Sequence, residues 1–338
     1  MKTVSLLLMT LFSAAACLSG ISCAGVLSST ECTDTAEPAG NAFSAYTPPG
    51  SSWLYQLQNA DPAEIGTADF DILVIDYSRT GSEEGRYTAA EMETLKTRSS
   101  GPPRTVLSYL SIGEAEDYRF YFDPSWTGGI ANQPSDEAPC WLGQTNPDWK
   151  GNYKVQYWSG DWQQIILAYL DRIIEDGFDG VYLDIIDAYE YWADEGNGEG
   201  FTISEEEAAH RMINFVKRIA YHARFDRGVS NFMVFPQNGE GILDYDTGDY
   251  LNTINGIGIE DLYYWETEKI PPETTAYRKN HIDRISVAGK TVLVVDYVDA
   301  GEGSNANTGR IAEFQAQAEA HGFIPFPATT DRELASIP

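Results

Sequence analysis

Two acids stand at the ends of short apolar runs in the middle of this chain. Asp184 closes Gly180-Val-Tyr-Leu-Asp184, and Glu260 closes Ile254-Asn-Gly-Ile-Gly-Ile-Glu260. A carboxylate at the end of a buried run is costly to desolvate unless it is paired or hydrogen-bonded. A pair of them, one protonated and one ionised, can donate a proton to a leaving oxygen and attack or deprotonate from the other side. Other chemistries lack their residues. No Gly-x-Ser-x-Gly turn and no Gly-rich phosphate loop occurs. The four histidines, His210, His222, His281 and His321, fall on expected helices or at their ends, away from strand ends, which argues against a histidine-held metal. Asp194, Glu195, Asn197 and Glu199 lack the spacing and the closing Glu of a calcium loop. No metal and no cofactor is therefore expected.

The two acids belong to a larger pattern. Read with a period of two, Ile72, Val74 and Asp76 share a face, as do Ser108, Leu110, Ile112 and Glu114. Val234, Pro236 and Asn238 form another such set, followed by Gly256, Gly258 and Glu260, and by Val292, Val294 and Asp296. Tyr182 and Asp184 share a face likewise, opposite Val181, Leu183 and Ile185. Six strands thus carry an apolar or small stripe that finishes in an acid or an amide. One such residue is usually a cap or a turn former. Six at one rim point to a site.

The elements that must position them alternate. Strands are expected at 53–58, 70–78, 104–114, 180–185, 232–238, 254–260, 291–297 and 322–327, with helices at 88–98, 161–176, 204–225, 272–288 and 307–321. Ser204 followed by Glu205, Glu206 and Glu207 is a favourable helix start. Eight strands with intervening helices predict an α/β fold, a single (β/α)8 barrel whose functional groups lie at the strands' carboxyl ends. The segments 117–158 and 190–203 are longer than such a barrel needs and read as loop insertions able to cap a cleft. Trp126, Trp141, Trp149 and Trp158 fall in or at the end of the first.

With 338 residues, 43 % of them hydrophobic and 12 % aromatic, the chain can bury a large core. Its formal charge of −29 would repel a phosphate backbone, so nucleic acid is not an expected partner. A neutral or cationic substrate fits better. Residues 1–23 resemble an export signal, with Lys2 ahead of the apolar run from Val4 to Cys17. Cys17 and Cys23 each follow a small residue, and Cys23 is the preferred lipid acceptor of a bacterial lipoprotein signal; ordinary cleavage nearby is the competing reading. Either way a secreted or surface-attached protein is expected, as a monomer. Residues 24–50, rich in Ser, Thr, Ala, Gly and Pro, read as a flexible tether, and 51–338 as the catalytic domain. Cys32 and Cys140 could join in one disulfide in an oxidising compartment.

The segments Ile75–Ser78, Tyr109–Arg119, Gly177–Asp187, Phe235–Gly239, Gly258–Glu260 and Val294–Tyr297 closely resemble glycoside-hydrolase family 114, over about residues 52–328. The resemblance implies a (β/α)8 barrel and an endo-α-1,4-polygalactosaminidase-like hydrolysis of a galactosamine-containing polysaccharide. It carries the catalytic pair onto Asp184 and Glu260, the residues that parity had already placed on the rim. Asp76, Tyr77, Tyr109, Glu114, Asp187, Asn238, Asp296 and Tyr297 would then bind sugar hydroxyls or amines. Glu260, on a glycine-lightened strand, is expected to have the raised pKa and to act as the acid. A glycosidase for another glycan and a barrel that binds carbohydrate without cleaving it stay open. The presence of both acids weighs against the second.

Overall fold

The computed structural model describes residues 31, 32, 34, 43, 47, 48, 50–98, 101–128 and 133–337. The leader and most of the tether lie outside them. Eight parallel strands form the centre: β1 (Trp53–Gln56), β2 (Ile72–Ile75), β3 (Thr105–Ser111), β4 (Gly180–Asp184), β5 (Met233–Pro236), β6 (Gly256–Glu260), β7 (Thr291–Asp299) and β8 (Ile324–Thr329). Each expected strand is present, most of them trimmed at the ends. The first five pair in chain order, and β6, β7 and β8 pair in a second ladder. The ladders meet where Asn255 N donates to Val234 O at 2.9 Å and Asn238 N to Gly258 O at 2.8 Å. On the other side, the indole of Trp53 donates to Ile324 O at 2.9 Å, and Leu57 N and Gln58 N donate to Leu334 O beyond β8. This is the strand order of a (β/α)8 barrel.

The helices Ala89–Lys96, Gly160–Glu175, Glu205–Tyr221, Pro272–Val287 and Asn305–Ala320 match the expected ones. Thr88 and Glu91 close a reciprocal capping box at the first, and Ser204 accepts from Glu207 N at the start of the third. The insertion after β3 folds as a small antiparallel sheet of Glu114–Glu116, Asn152–Val155 and Leu142–Thr145. The second insertion packs against it: Glu199 accepts from Gln144 N at 2.8 Å and from the Tyr191 hydroxyl at 2.7 Å.

Parity in the barrel differs from the expectation on three strands. In parallel pairing, register partners share a face. Val74 pairs with Leu107, Tyr109 with Tyr182, Ser111 with Asp184, and Tyr182 with Phe235. Tyr182 faces the interior, 5.3 Å from the Tyr55 ring, so Tyr109, Ser111 and Phe235 face inward rather than Ser108, Leu110, Val234 and Pro236. On β7, Leu293 pairs with Gly258 and Val295 with Glu260, so Val292, Val294 and Asp296 face outward. Strands buried on both faces read as unbroken apolar runs, which carry no period-two signal. Expectation and structure agree on β2, β4 and β6.

Glu31, Cys32 and Asp34, within the expected tether, are tied to the domain. Cys32 and Cys140 form a disulfide with Cα atoms 6.1 Å apart, across a sequence separation of 108 residues. Cys32 N also donates to Gln156 Oε1 at 2.8 Å, and Arg211 pairs with Glu31 and Asp34. Closing so long a loop removes much entropy from the unfolded chain. Replacing both cysteines by serine is expected to lower the unfolding free energy by about 3–4 kcal/mol, read from urea denaturation at fixed slope.

Candidate active site

The carboxyl ends of the strands open into a cleft of about 680 Å³, large enough for several sugar-sized groups. Asp76, Tyr109, Glu114, Asp184, Asp187, Asn238, Glu260 and Tyr297 all line it. Two expected residues do not. Tyr77 is buried edge-on against Tyr169, with centroids 4.7 Å apart, and its hydroxyl donates to Gly81 O. Asp296 lies fully buried on the outer face of β7, where it accepts the amides of Leu262, Tyr263 and Tyr264 at 2.8–2.9 Å. It shapes the loop after Glu260 instead of meeting a ligand.

Asp184 is held from two sides. Its Oδ2 accepts the Tyr109 hydroxyl at 2.6 Å and its Oδ1 the amide of Ile185 at 2.8 Å. Ile185 makes that amide available by taking φ 61°, which a β-branched residue adopts only under constraint. Gly113 leaves room for the turn, since a Cβ there would lie 2.3 Å from Ile185 O. Burial pushes the Asp184 carboxyl well above the usual range, and the Glu260 carboxylate pushes it further, against the pull of the two hydrogen bonds.

Glu260 sits in a different cradle. Its amide donates to Asn238 Oδ1 at 2.9 Å, while Asn238 Nδ2 donates to Oε2 at 3.1 Å. The Tyr297 hydroxyl donates to Oε1. Asn238 closes both bonds from φ 56°, which brings its side chain to the cleft despite the outward parity of the strand before it. Arg278 clasps the carbonyls of Glu260 and Asp261 at 2.8 and 3.0 Å. Tyr109, Asn238 and Tyr297, expected as ligands for sugar, therefore spend donors on the two acids.

Beneath the pair the barrel is aromatic. Trp53 stacks on Tyr55 and meets Tyr182 and Phe326 at tilted angles, Tyr55 meets Tyr182 in turn, and glycines opposite them make the space. A Cβ on Gly258 would lie 1.7 Å from the Tyr182 hydroxyl oxygen. Gly258→Ala is expected to displace either Tyr182 or β6, and with β6 the carboxylate two residues on. A loss of about 1–3 kcal/mol in stability, together with lost turnover, would be read by thermal unfolding and rate assay.

The remaining acids differ in availability. Asp76 and Glu116 are both engaged by the buried Arg119. Glu114, fully buried, accepts from Asn146 at 2.9 Å, Asn152 at 3.2 Å and Lys154, and so braces the small sheet. Asp187 faces the open cleft, and desolvation by its surroundings pushes its carboxyl up to about 6. Tyr118 and Trp149, each half-exposed, add aromatic faces to the wall. Among the described residues no cluster of three or more His, Cys, Asp or Glu is arranged to hold a metal ion.

Several lining residues had no signal in the sequence. Tyr55 belongs to an apolar strand with no visible parity, and Gln237, bonded to it at 3.0 Å, lay on the face opposite the one the sequence assigned to the cleft. Arg119 lay within a segment carrying the resemblance and could have been found there. Arg332 follows the last strand, where no pattern operates.

The sequence model of glycoside-hydrolase family GH114 matches residues 35–336. An uncharacterized protein of Thermotoga maritima is 44 % identical over 286 residues, covering 85 % of this chain and 83 % of its own. One from Methanocaldococcus jannaschii is 44 % identical over 286 residues, covering 84 % and 77 %. The glycoside hydrolase domain of PelA from Pseudomonas aeruginosa superimposes with a TM-score of 0.62 at 16 % identity, over 86 % of this chain and 98 % of that domain. Aspergillus fumigatus Ega3, solved in complex with galactosamine, gives 0.58 at 18 % identity, over 88 % and 98 %. Likeness at these identities shows a shared fold.

Proposed function

Because the chain belongs to glycoside-hydrolase family GH114, we propose that it hydrolyses an α-1,4-linked, galactosamine-containing polysaccharide, with Asp184 and Glu260 as the catalytic pair. The observation that carries this reading is that the Asp184 and Glu260 carboxyls line the same cleft, where burial and then the charge of Glu260 push Asp184 up. One proton on the pair lets one carboxyl protonate the glycosidic oxygen while the other serves as nucleophile or base. The galactosamine bound to the fold-sharing Ega3 supports the choice of sugar. So does the cleft's excess of carboxylates, which favours a substrate carrying ammonium groups.

Asp187 is the acid placed to meet such an ammonium, since it faces the cleft and no cation in the chain forms an ion pair with it within 4.0 Å among the described residues. Its charge is present above about pH 6 and lost below. KM for the cationic polymer is therefore expected to fall as pH rises through 6. Asp187→Asn should raise KM and flatten that dependence, with kcat less affected.

The deciding experiment measures reducing ends released from partly deacetylated α-1,4-galactosaminogalactan by the wild type and by Glu260→Gln. Release by the wild type alone supports the reading. Equal release by both would remove Glu260 from the mechanism, and no release by either would reject this glycan.

A further inference from the structure

Arg332 enters the cleft from the segment that follows β8, not from a barrel strand. Its amide donates to Thr329 O at 3.1 Å, and its guanidinium grips both oxygens of Asp261, at 3.2 and 2.8 Å. The same guanidinium lies over the Tyr297 ring at 3.8 Å and over the half-exposed Trp265 ring at 4.8 Å. Tyr297 is the residue whose hydroxyl donates to Glu260.

The backbone around this contact is unusual. Asp261 has φ 51° and Arg332 φ 60°, so both partners of the ion pair are in the left-handed region. Left-handed backbone at a non-glycine residue costs about 1–3 kcal/mol and persists where its surroundings enforce it, often at working sites. A partly exposed ion pair returns only about 0–1 kcal/mol. Stability alone therefore accounts poorly for two such residues meeting. A cation on the face of a phenol draws electron density from the ring and makes the hydroxyl a stronger donor. Stacking also fixes the ring plane, and with it the direction of the hydroxyl.

We propose that Arg332 is a positioning residue for Glu260, acting through the face of Tyr297 to aim and strengthen the hydrogen bond on Oε1. The proposal rests on the reading of Glu260 as one of the catalytic pair. Other groups face Glu260 as well. Asp184 and Tyr182 do so from β4, Tyr55 from β1 and Asp261 from the next position in the chain. Arg278, on the helix Pro272–Val287, binds the Glu260 carbonyl, contacts Asn238 at 3.4 Å and is itself paired with Glu240. Each neutral donor to the Glu260 side chain is thus backed by an arginine: Asn238 by Arg278, and Tyr297 by Arg332.

The test compares Arg332→Gln, Arg332→Lys, Tyr297→Phe and the double variant Arg332→Gln with Tyr297→Phe. Arg332→Gln should lower kcat about tenfold or more with little change in KM. One limb of the pH–rate profile should move to higher pH, since a carboxyl that loses a cationic neighbour ionises later. Arg332→Lys should restore much of the profile and less of kcat, because an ammonium supplies charge but no planar stack. With Tyr297→Phe already present, Arg332→Gln should cost little more. An unchanged profile with only a lower melting temperature would overturn the proposal, as would fully additive losses in the double variant. A second readout needs no substrate: the pH midpoint of the Glu260 side-chain 13C carboxyl resonance should rise in Arg332→Gln. A wild type inactive on the polymer with that rise intact would sink the proposed function and leave the positioning role standing. An unmoved midpoint would sink the positioning role.

Discussion

Asp184→Asn and Glu260→Gln are each expected to lower kcat/KM by about 10²–10⁴-fold, the range for losing a positioned acid or base. Each side chain keeps its shape, so the barrel should remain. The roles divide by rescue. With alanine at the nucleophile or base position, added azide enters the vacated space and attacks the anomeric carbon, restoring turnover and yielding a glycosyl azide. The anomeric configuration of that product, read by NMR, tells which carboxyl was lost. Wild-type rates in either Asp184→Asn or Glu260→Gln would remove that residue from the pair.

Asp184→Asn should also stabilise the protein. Burial and Glu260 raise the folded-state pKa of Asp184 above its unfolded value. Below the unfolded value both states are protonated and no penalty exists. As pH rises through the raised folded value, the folded state must ionise an unfavourable site and stability is lost. The asparagine variant carries no such penalty. Its melting temperature should exceed that of the wild type at pH 7, and the difference should shrink toward pH 4. A site that works by holding a carboxyl where water would serve it better gives up stability in return.

Arg119→Met is expected to be among the most destabilising single changes in the cleft wall, at about 3–5 kcal/mol. Arg119 is itself buried, bonds Glu116 at 2.7 Å through Nε, and reaches Asp76 Oδ1 at 2.9 Å and Oδ2 at 2.8 Å. Methionine would fill much of the space and leave two buried carboxylates without their cation. Burial already raises Asp76 in spite of Arg119, and removing the arginine would raise it further. The loss should accordingly be larger at pH 7 than at pH 4.5, where the stranded Asp76 takes up a proton more readily. Urea denaturation at the two pH values checks it; a loss independent of pH would mean that packing, not charge, is what Arg119 provides.

Much of this was legible from residues alone. The eight strands and five long helices follow from apolar runs, their spacing and their caps, which are local properties of the chain. Asp184 and Glu260 stood out because each closes a run on which parity happened to be readable: Tyr182 and Asp184 on β4, and Gly256, Gly258 and Glu260 on β6. Where a strand is apolar on both faces, residue type says nothing about which way it points. Asp296 was misplaced for that reason, and parity alone gave Tyr109 and Phe235 no inward place. Asn238 reached the cleft by a left-handed turn that parity could not anticipate.

By itself, then, the sequence determined the class of fold, the strand ends at which chemistry could occur and the carboxylate character of the site. Hydrophobic patterning and residue chemistry act locally and survive translation into text. The tertiary structure decided which side chain touches which. It assigned Tyr109 to Asp184, Tyr297 and Asn238 to Glu260, Arg119 to Asp76 and Glu116, and Arg332 to the face of Tyr297. It also placed the upward pKa shift on Asp184. These are sums over neighbours from distant segments, and desolvation, charge and hydrogen-bond geometry have no value until those neighbours are in place.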